Sequence, residues 1–191
     1  SYIILIMSLT KTPICDFGKK AENFQLKSTD NKIISLSDIT GKNGTIIMFI
    51  CNHCPYVKAV IEDIVEDSNK LDNLGIKSVA ICSNDVKNYP EDSFENMIKF
   101  SKENKFKFPY LIDEKQEIAK KFDAVCTPDF FGYNKNLELQ YRGRIRELKE
   151  LKPLKTGDSD LYKAMKQISE TGKGPKNQIP SMGCNIKWLN N

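Results

Sequence analysis

The chain has 191 residues, of which 40% are apolar and 28% charged, with a net charge of +4, six cysteines and a single histidine. That composition belongs to a globular domain with one sizeable core, and so small a charge excess gives no reason to expect a nucleic-acid partner.

The opening run Ser1-Tyr2-Ile3-Ile4-Leu5-Ile6-Met7 is apolar but too short to span a bilayer. It has no basic side chain and no small-residue cleavage pattern, so it does not read as a signal peptide, and Met7 is a candidate true start. On this reading residues 1–15 are an N-terminal extension, no membrane is involved and the compartment is cytoplasmic. There, cysteines serve catalysis or metal binding, or stay as free thiols, rather than forming a structural disulfide framework.

Phe24-Gln25-Leu26-Lys27 and Ile33-Ile34-Ser35-Leu36 flank a polar turn and predict a β-hairpin. Thr45 to Ile50 is an unbroken apolar run, the pattern of a strand buried on both faces. Val57, Val60, Ile61, Ile64, Val65 and Leu71 then fall at helical spacing, predicting a helix from about 54 to 72. Ile76 to Cys82 is a second buried strand, so these three elements form a parallel crossover unit. Pro90-Glu91-Asp92-Ser93 reads as a helix start. Tyr110-Leu111-Ile112 predicts a short strand, and Ile118, Ala119 and Phe122 a short helix. Phe130 to Tyr133 and Leu137 to Tyr141 surround Asn134-Lys135-Asn136, a hairpin turn. The basic stretch from Arg142 to Lys155 is interleaved with Glu147 and Glu150 and reads as a solvated face. Leu161, Ala164, Met165 and Ile168 mark a final helix, and residues 171–191 read as an irregular C-terminal tail. Residues 16–170 thus form a single domain.

Chemistry concentrates at Cys51-Asn52-His53-Cys54, where the buried strand runs into the helix. Unpaired backbone N–H groups and the positive end of the helix dipole favour a thiolate there. Cys51 is the candidate nucleophile and Cys54 its partner, since two intervening residues suit attack through a mixed disulfide and closure by the second thiol. Pro55 fits the first helical position, where no N–H is needed. His53, when protonated, would stabilise the Cys51 thiolate and make the site more oxidising than thioredoxin at about −270 mV. Cys126-Thr127-Pro128 is a second constellation, with proline placed for a cis peptide before a strand. Cys126 is either a third thiol of the site or a packed one, and Cys184 either a resolving thiol on the tail or an idle one. Cys82 reads as core and Cys15 has no chemical context.

Taken together, Cys51 to Tyr56, Asn84-Asp85, Tyr89 to Ser93, Cys126 to Phe131 and Gly183 to Trp188 resemble the redoxin branch of the thioredoxin superfamily, the alkyl hydroperoxide reductase/thiol-specific antioxidant (AhpC/TSA)-like group. The resemblance implies an α/β thioredoxin-like fold: three α/β/α layers, a central mixed sheet and an added N-terminal β-hairpin. It also implies that Thr127 and Pro128 face the dithiol and dock the partner's backbone by β-type pairing. Two departures stand out. Peroxiredoxins resemble one another in Pro-x-x-x-Thr-x-x-Cys, but Met48 and Gly44 precede Cys51 at those positions, and Cys51 and Ile47 precede Cys54. Thioredoxins carry an acidic residue in the strand before the motif; Thr45 to Ile50 has none, leaving Lys58 and Glu62 as bases to consider for Cys54.

The leading expectation is a thiol–disulfide oxidoreductase acting on protein or small-molecule disulfides and thiols, recycled by a reductant the sequence does not identify. It needs no cofactor and no metal. The alternatives are a thiol peroxidase and antioxidant with Cys51 as peroxidatic thiol, acting on peroxides, and a copper- or zinc-binding protein using the same thiols. Copper-handling relatives resemble one another in a distant histidine ligand, whereas His53 stands alone here. The sequence carries no sign of an oligomeric state.

Overall fold

Residues Gly44–Phe49, all buried, form strand β4, and their alternation divides the interior into two layers. Ile46 and Met48 point to one side, with Ile50 just beyond them, while Ile47 and Phe49 point to the other. The structure is a computed structural model that describes residues 9–13 and 15–189. The candidate start at Met7 and most of the N-terminal extension lie outside those residues.

β4 is central in a seven-stranded mixed sheet. The other strands are β2 (Gln25–Ser28), β3 (Ile33–Ser35), β5 (Ile76–Cys82), β6 (Tyr110–Ile112), β8 (Asp129–Tyr133) and β9 (Leu139–Gly143), in the order β3-β2-β6-β5-β4-β8-β9. β4, β5 and β6 are mutually parallel; the hairpin β2–β3 joins the β6 edge antiparallel, and the hairpin β8–β9 joins β4 antiparallel. The expected N-terminal hairpin therefore extends the sheet.

Helix α1 (Pro55–Asp72) packs Val57, Val60, Ile61, Ile64 and Leu71 on the Ile46–Met48 side. Leu161, Ala164, Met165 and Ile168 of α4 (Asp160–Thr171) join them, as do Met97 and Phe100 of α2 (Phe94–Glu103). On the opposite side Ile118 and Ala119 of α3 (Glu117–Lys121) meet Phe24, Phe122, Phe131 and a 3-10 turn over Leu36–Ile39. This is the three-layer thioredoxin-like arrangement. Each fully buried aliphatic or aromatic side chain contributes roughly 1.5–3 kcal/mol.

Several local expectations shift. Pro90–Asp92 is a 3-10 turn, and α2 begins at Phe94 because the Ser93 hydroxyl caps it, accepting from Asn96 N–H at 3.2 Å. β9 begins at Leu139, since Leu137 takes a left-handed φ of 59° in the turn. The basic stretch is not a solvated face at its arginines. Arg142 is buried against Asp129 at 2.9 Å, Arg144 meets Asp160 at 2.6 Å, and Arg146 meets the buried Asp63 at 3.3 Å. After these come two short strands, β10 (Leu148–Lys149) and β11 (Lys152–Pro153), paired with each other.

The tail also departs from expectation. Within it, β12 (Met182–Asn185) pairs antiparallel with β1 (Leu9–Lys11) on one side and with β7 (Cys126–Thr127) on the other. The last strand of the chain thereby lies beside the Thr-Pro loop.

Candidate active site

β4 ends at Phe49 and α1 begins at Pro55, so Ile50 to Cys54 make the turn at the carboxyl end of a parallel strand, where open α/β sheets place their chemistry. Cys54 is the N-cap of α1 and Pro55 fills the first helical position. The stabilisation expected for Cys51 at the helix start therefore falls on Cys54, and Cys51 stands ahead of the helix.

Both sulfurs face Thr127. Cys51 Sγ is 3.6 Å from its Oγ1, and Cys54 Sγ is 3.3 Å from its carbonyl oxygen, to which Cys54 donates when it is a thiol. The Thr127–Pro128 peptide is cis. Cys54 Sγ also lies 2.9 Å from Cys184 Sγ, brought in by β12. Cys51 and Cys54 are not joined in a disulfide. Cys126 is buried with its thiol donating to the Pro128 carbonyl at 3.6 Å, and burial pushes its pKa up. Cys82 is core, as expected, and Cys15 is partly buried.

The protons are unevenly shared. Cys54 is held far below the ordinary thiol range, first by a hydrogen bond from Cys184, then by one from Cys51, with burial opposing and the Val57 N–H assisting. Cys51, 1% exposed, is pushed well above that range by burial, by its bond to Cys54 and by the charge of Asp92. Cys184 is raised by donating to Cys54 and by burial. The reduced site thus holds its thiolate on Cys54, with Cys51 and Cys184 as protonated donors. Lys58 and Glu62 do not serve as bases for Cys54: both are exposed, and Glu62 pairs with Lys155 at 3.9 Å.

His53 Nδ1 lies 2.6 Å from Asp92 Oδ2, a contact that becomes an ion pair when the imidazole is protonated. Asp92 raises the His53 pKa against the opposing effect of burial. The His53 ring stacks on Tyr89 with centroids 5.9 Å apart. Asp92 is fully buried and accepts from Asn52 N–H at 2.8 Å and from Asn84 Nδ2 at 2.9 Å; Tyr110 fixes the Asn52 side chain by donating to Oδ1 at 2.8 Å. Sequence reasoning gave Asp92, Asn84 and Tyr110 no role in the chemistry. Asp92 and Asn84 lie in the segments that carried the family resemblance, but nothing in their spacing shows that they converge on the dithiol. Cys51, His53 and Asp92 offer ligand atoms within 4.8 Å of one another, a set that could hold a cation. Beside Pro128 opens a groove of about 580 Å³, lined by Tyr56, Val60, Phe130, Ile145, Leu148 and Met182 among others.

A cysteine pair at a helix start, facing a Thr-cis-Pro loop on a mixed sheet, defines the class of thioredoxin-fold thiol redox proteins. The AhpC/TSA family model matches residues 17–148, and the chain belongs to that family. It is similar to an uncharacterized conserved protein from Geobacillus kaustophilus at 40% identity, covering 97% of this chain and 98% of that one with a TM-score of 0.91. It is also similar to a hypothetical protein from Sinorhizobium meliloti 1021 at 31% identity, covering 95% and 100% with a TM-score of 0.88. The thiol-disulfide oxidoreductase ResA of Bacillus thuringiensis is 28% identical over 127 residues, 66% of this chain and 69% of that protein.

The cytoplasmic expectation is overturned. A secreted disulfide oxidoreductase of Mycobacterium tuberculosis shares the fold, at 14% identity and a TM-score of 0.52 over 61% of this chain and 80% of that one. Dithiols of this kind work in oxidising as well as reducing compartments, so the six cysteines do not mark the cytoplasm. Among the described residues, no helix is long and apolar enough to cross a membrane.

Proposed function

We propose that the protein is a thiol–disulfide oxidoreductase in which Cys51 attacks a partner disulfide, Cys54 resolves the mixed disulfide, His53 tunes the pair and Thr127–Pro128 docks the partner. The observation that carries this reading is the shared approach of the Cys51 and Cys54 sulfurs to Thr127, at 3.6 and 3.3 Å.

As Cys51 attacks, its proton passes to the Cys54 thiolate, with which it is hydrogen-bonded. The partner's S–S bond breaks, a Cys51–partner disulfide forms, and one partner thiolate leaves, taking the proton from Cys54. Cys54, again a thiolate, attacks the Cys51 sulfur; the second partner sulfur leaves as a thiolate that takes a proton from solvent, and a Cys51–Cys54 disulfide remains. Apolar side chains of the partner fit the groove beside Pro128. The test is turnover of a model disulfide: Cys51→Ser abolishes it, and Cys54→Ser accumulates mixed disulfides. Full exchange activity in Cys51→Ser overturns the assignment.

A second reading, thiol peroxidase, is favoured by the Thr127 hydroxyl beside Cys51, a donor of the kind missing from the sequence before it. Against it, a peroxidase of the peroxiredoxin type also uses an arginine to hold the peroxide, and the buried Arg142 guanidinium is committed to Asp129. Hydrogen peroxide consumption by reduced protein, with Cys51→Ser as blank, decides: a rate no better than a free thiol removes this reading. The cluster of Cys51, His53 and Asp92 also supports binding of copper or zinc. Elemental analysis of protein purified without affinity-tag metals tests it, and absence of stoichiometric metal removes it.

A further inference from the structure

We infer that Cys184 is a third redox-active thiol of this site, forming a disulfide with Cys54 that fastens β12 across the Thr127–Pro128 loop. The inference rests on the oxidoreductase reading of Cys51 and Cys54.

The two sulfurs are separated by 130 positions of sequence yet lie 2.9 Å apart, both buried. A covalent S–S bond is about 2.05 Å, so closing the gap requires a movement of less than one ångström. The contact is built by the strand register. Cys184 stands opposite Thr127, whose carbonyl oxygen contacts Cys54. Gly183 lets β12 lie flat on that segment, because a Cβ there would overlap the Thr127 carbonyl. Ser181 Oγ donates to the Pro128 carbonyl at 2.6 Å, and Lys187 N–H donates to Asn84 Oδ1 at 2.9 Å, so the strand is pinned on both sides of Cys184.

β12 also occupies the backbone edge of β7. The chain therefore lays its own strand along the segment that the proposed function assigns to partner docking, and presents a cysteine with it. Closing the Cys54–Cys184 bond would hold that strand in place, and reducing it would free the strand to yield to a partner.

The exchange needs no outside oxidant once Cys51–Cys54 is oxidised. Cys184 attacks the Cys54 sulfur as a thiolate, the Cys51–Cys54 bond breaks, the Cys54–Cys184 bond forms, and Cys51 leaves and takes up the proton that Cys184 lost. In Cys51→Ser the same bond forms from two thiols and a low-molecular-weight disulfide, with release of two low-molecular-weight thiols.

The experiment is oxidation of the full chain by glutathione disulfide, alkylation of the remaining thiols under denaturing conditions, trypsin digestion and mass spectrometry. Cys51 and Cys54 share the tryptic peptide 43–58, and Cys184 lies in 177–187. A covalent link between these two peptides is expected in the wild type, more abundantly in Cys51→Ser, and not in Cys184→Ser. Cys54 and Cys184 both alkylated in Cys51→Ser, at a glutathione disulfide concentration that oxidises the wild type, overturns the inference. If Cys51→Ser does not fold, absence of the link from oxidised wild type overturns it equally. Insulin reduction by the same proteins separates the two claims. Turnover lost in Cys51→Ser with no linked peptide in any protein leaves the oxidoreductase reading standing and removes Cys184. Turnover retained in Cys51→Ser removes the oxidoreductase reading, whatever the peptides show.

Discussion

Nδ1 of His53 stands 2.6 Å from Oδ2 of Asp92, and the same buried carboxylate holds Asn52 and Asn84 in place. One side chain thus ties the dithiol turn to the segment after β5 and raises the pKa of the histidine between the cysteines.

Asp92→Asn is expected to lower the His53 pKa, because the raising effect of Asp92 is lost while burial remains. His53 is the only histidine, so its ring resonance reports the titration directly. The raised pKa contributes stability that is complete below the unfolded value of about 6.5. That contribution is lost as pH rises through the folded value. Denaturation of wild type across that window should show the decline and Asp92→Asn should not. An unchanged His53 midpoint in the variant would remove Asp92 from this role.

The Cys54 thiolate gives a second pH signature. A depressed thiol pKa contributes stability above the unfolded value, about 8.5, and loses it as pH falls through the folded one. Reduced wild type should therefore retain ultraviolet thiolate absorbance well into the acid range, and Cys54→Ser should not. Cys184→Ala, which removes the largest of the lowering hydrogen bonds, should shift the Cys54 transition upward. Identical titrations for wild type and Cys54→Ser would place the thiolate elsewhere.

Much of this architecture was legible because the apolar pattern carries it. The run from Thr45 to Ile50, the helical spacing from Val57 to Leu71 and the second run from Ile76 to Cys82 are local, and burial on two faces leaves little else for them to be. The site was legible to the extent that it is local: Cys51 to Cys54 and Thr127–Pro128 announce themselves by spacing. What stayed hidden is long-range. Asp92 reads as an ordinary first-turn acid, and only the folded chain brings it under His53. The tail looked irregular because a strand of Met-Gly-Cys-Asn has no period of its own, and pairing with β7 and β1 creates it. The arginines at the end of β9 and just after it looked solvated because their partners, Asp129, Asp160 and Asp63, belong to other elements.

Arg142 and Asp129 form the most enclosed of these pairs, with side chains 5% and 0% exposed. Arg142 donates through Nε at 3.3 Å and Nη2 at 2.9 Å to Asp129, and through Nη2 to the Asp123 carbonyl at 2.8 Å. Burial pushes the Asp129 carboxyl up, and Arg142 opposes it. Arg142→Leu leaves the carboxylate without its cation, a change that costs about 3–5 kcal/mol. Chemical denaturation should show a loss of that order at neutral pH and a smaller one in the double variant Arg142→Leu/Asp129→Leu. Equal losses would mean that the arginine acts through packing on Phe131, which its guanidinium covers at 4.4 Å.

Gly183→Ala tests how closely the tail must lie against the Thr-Pro loop. The added Cβ would overlap the Thr127 carbonyl oxygen, with the carbonyl carbon at 2.7 Å and Pro128 N at 3.2 Å. These are backbone atoms of a segment held by β12 itself, so no rotamer change relieves the overlap and the strand must withdraw. Overpacking of this kind costs roughly 1–3 kcal/mol. Withdrawal carries Cys184 away from Cys54 and uncovers the β7 edge. Two readouts should therefore move together: native-state alkylation of Cys54 should quicken, and its thiolate transition should rise as the bond from Cys184 is lost. Met182→Ala, one residue earlier on the same strand and exposed, is the control and should leave both unchanged. Faster labelling without a shifted transition would mean that β12 shields Cys54 but does not set its ionisation.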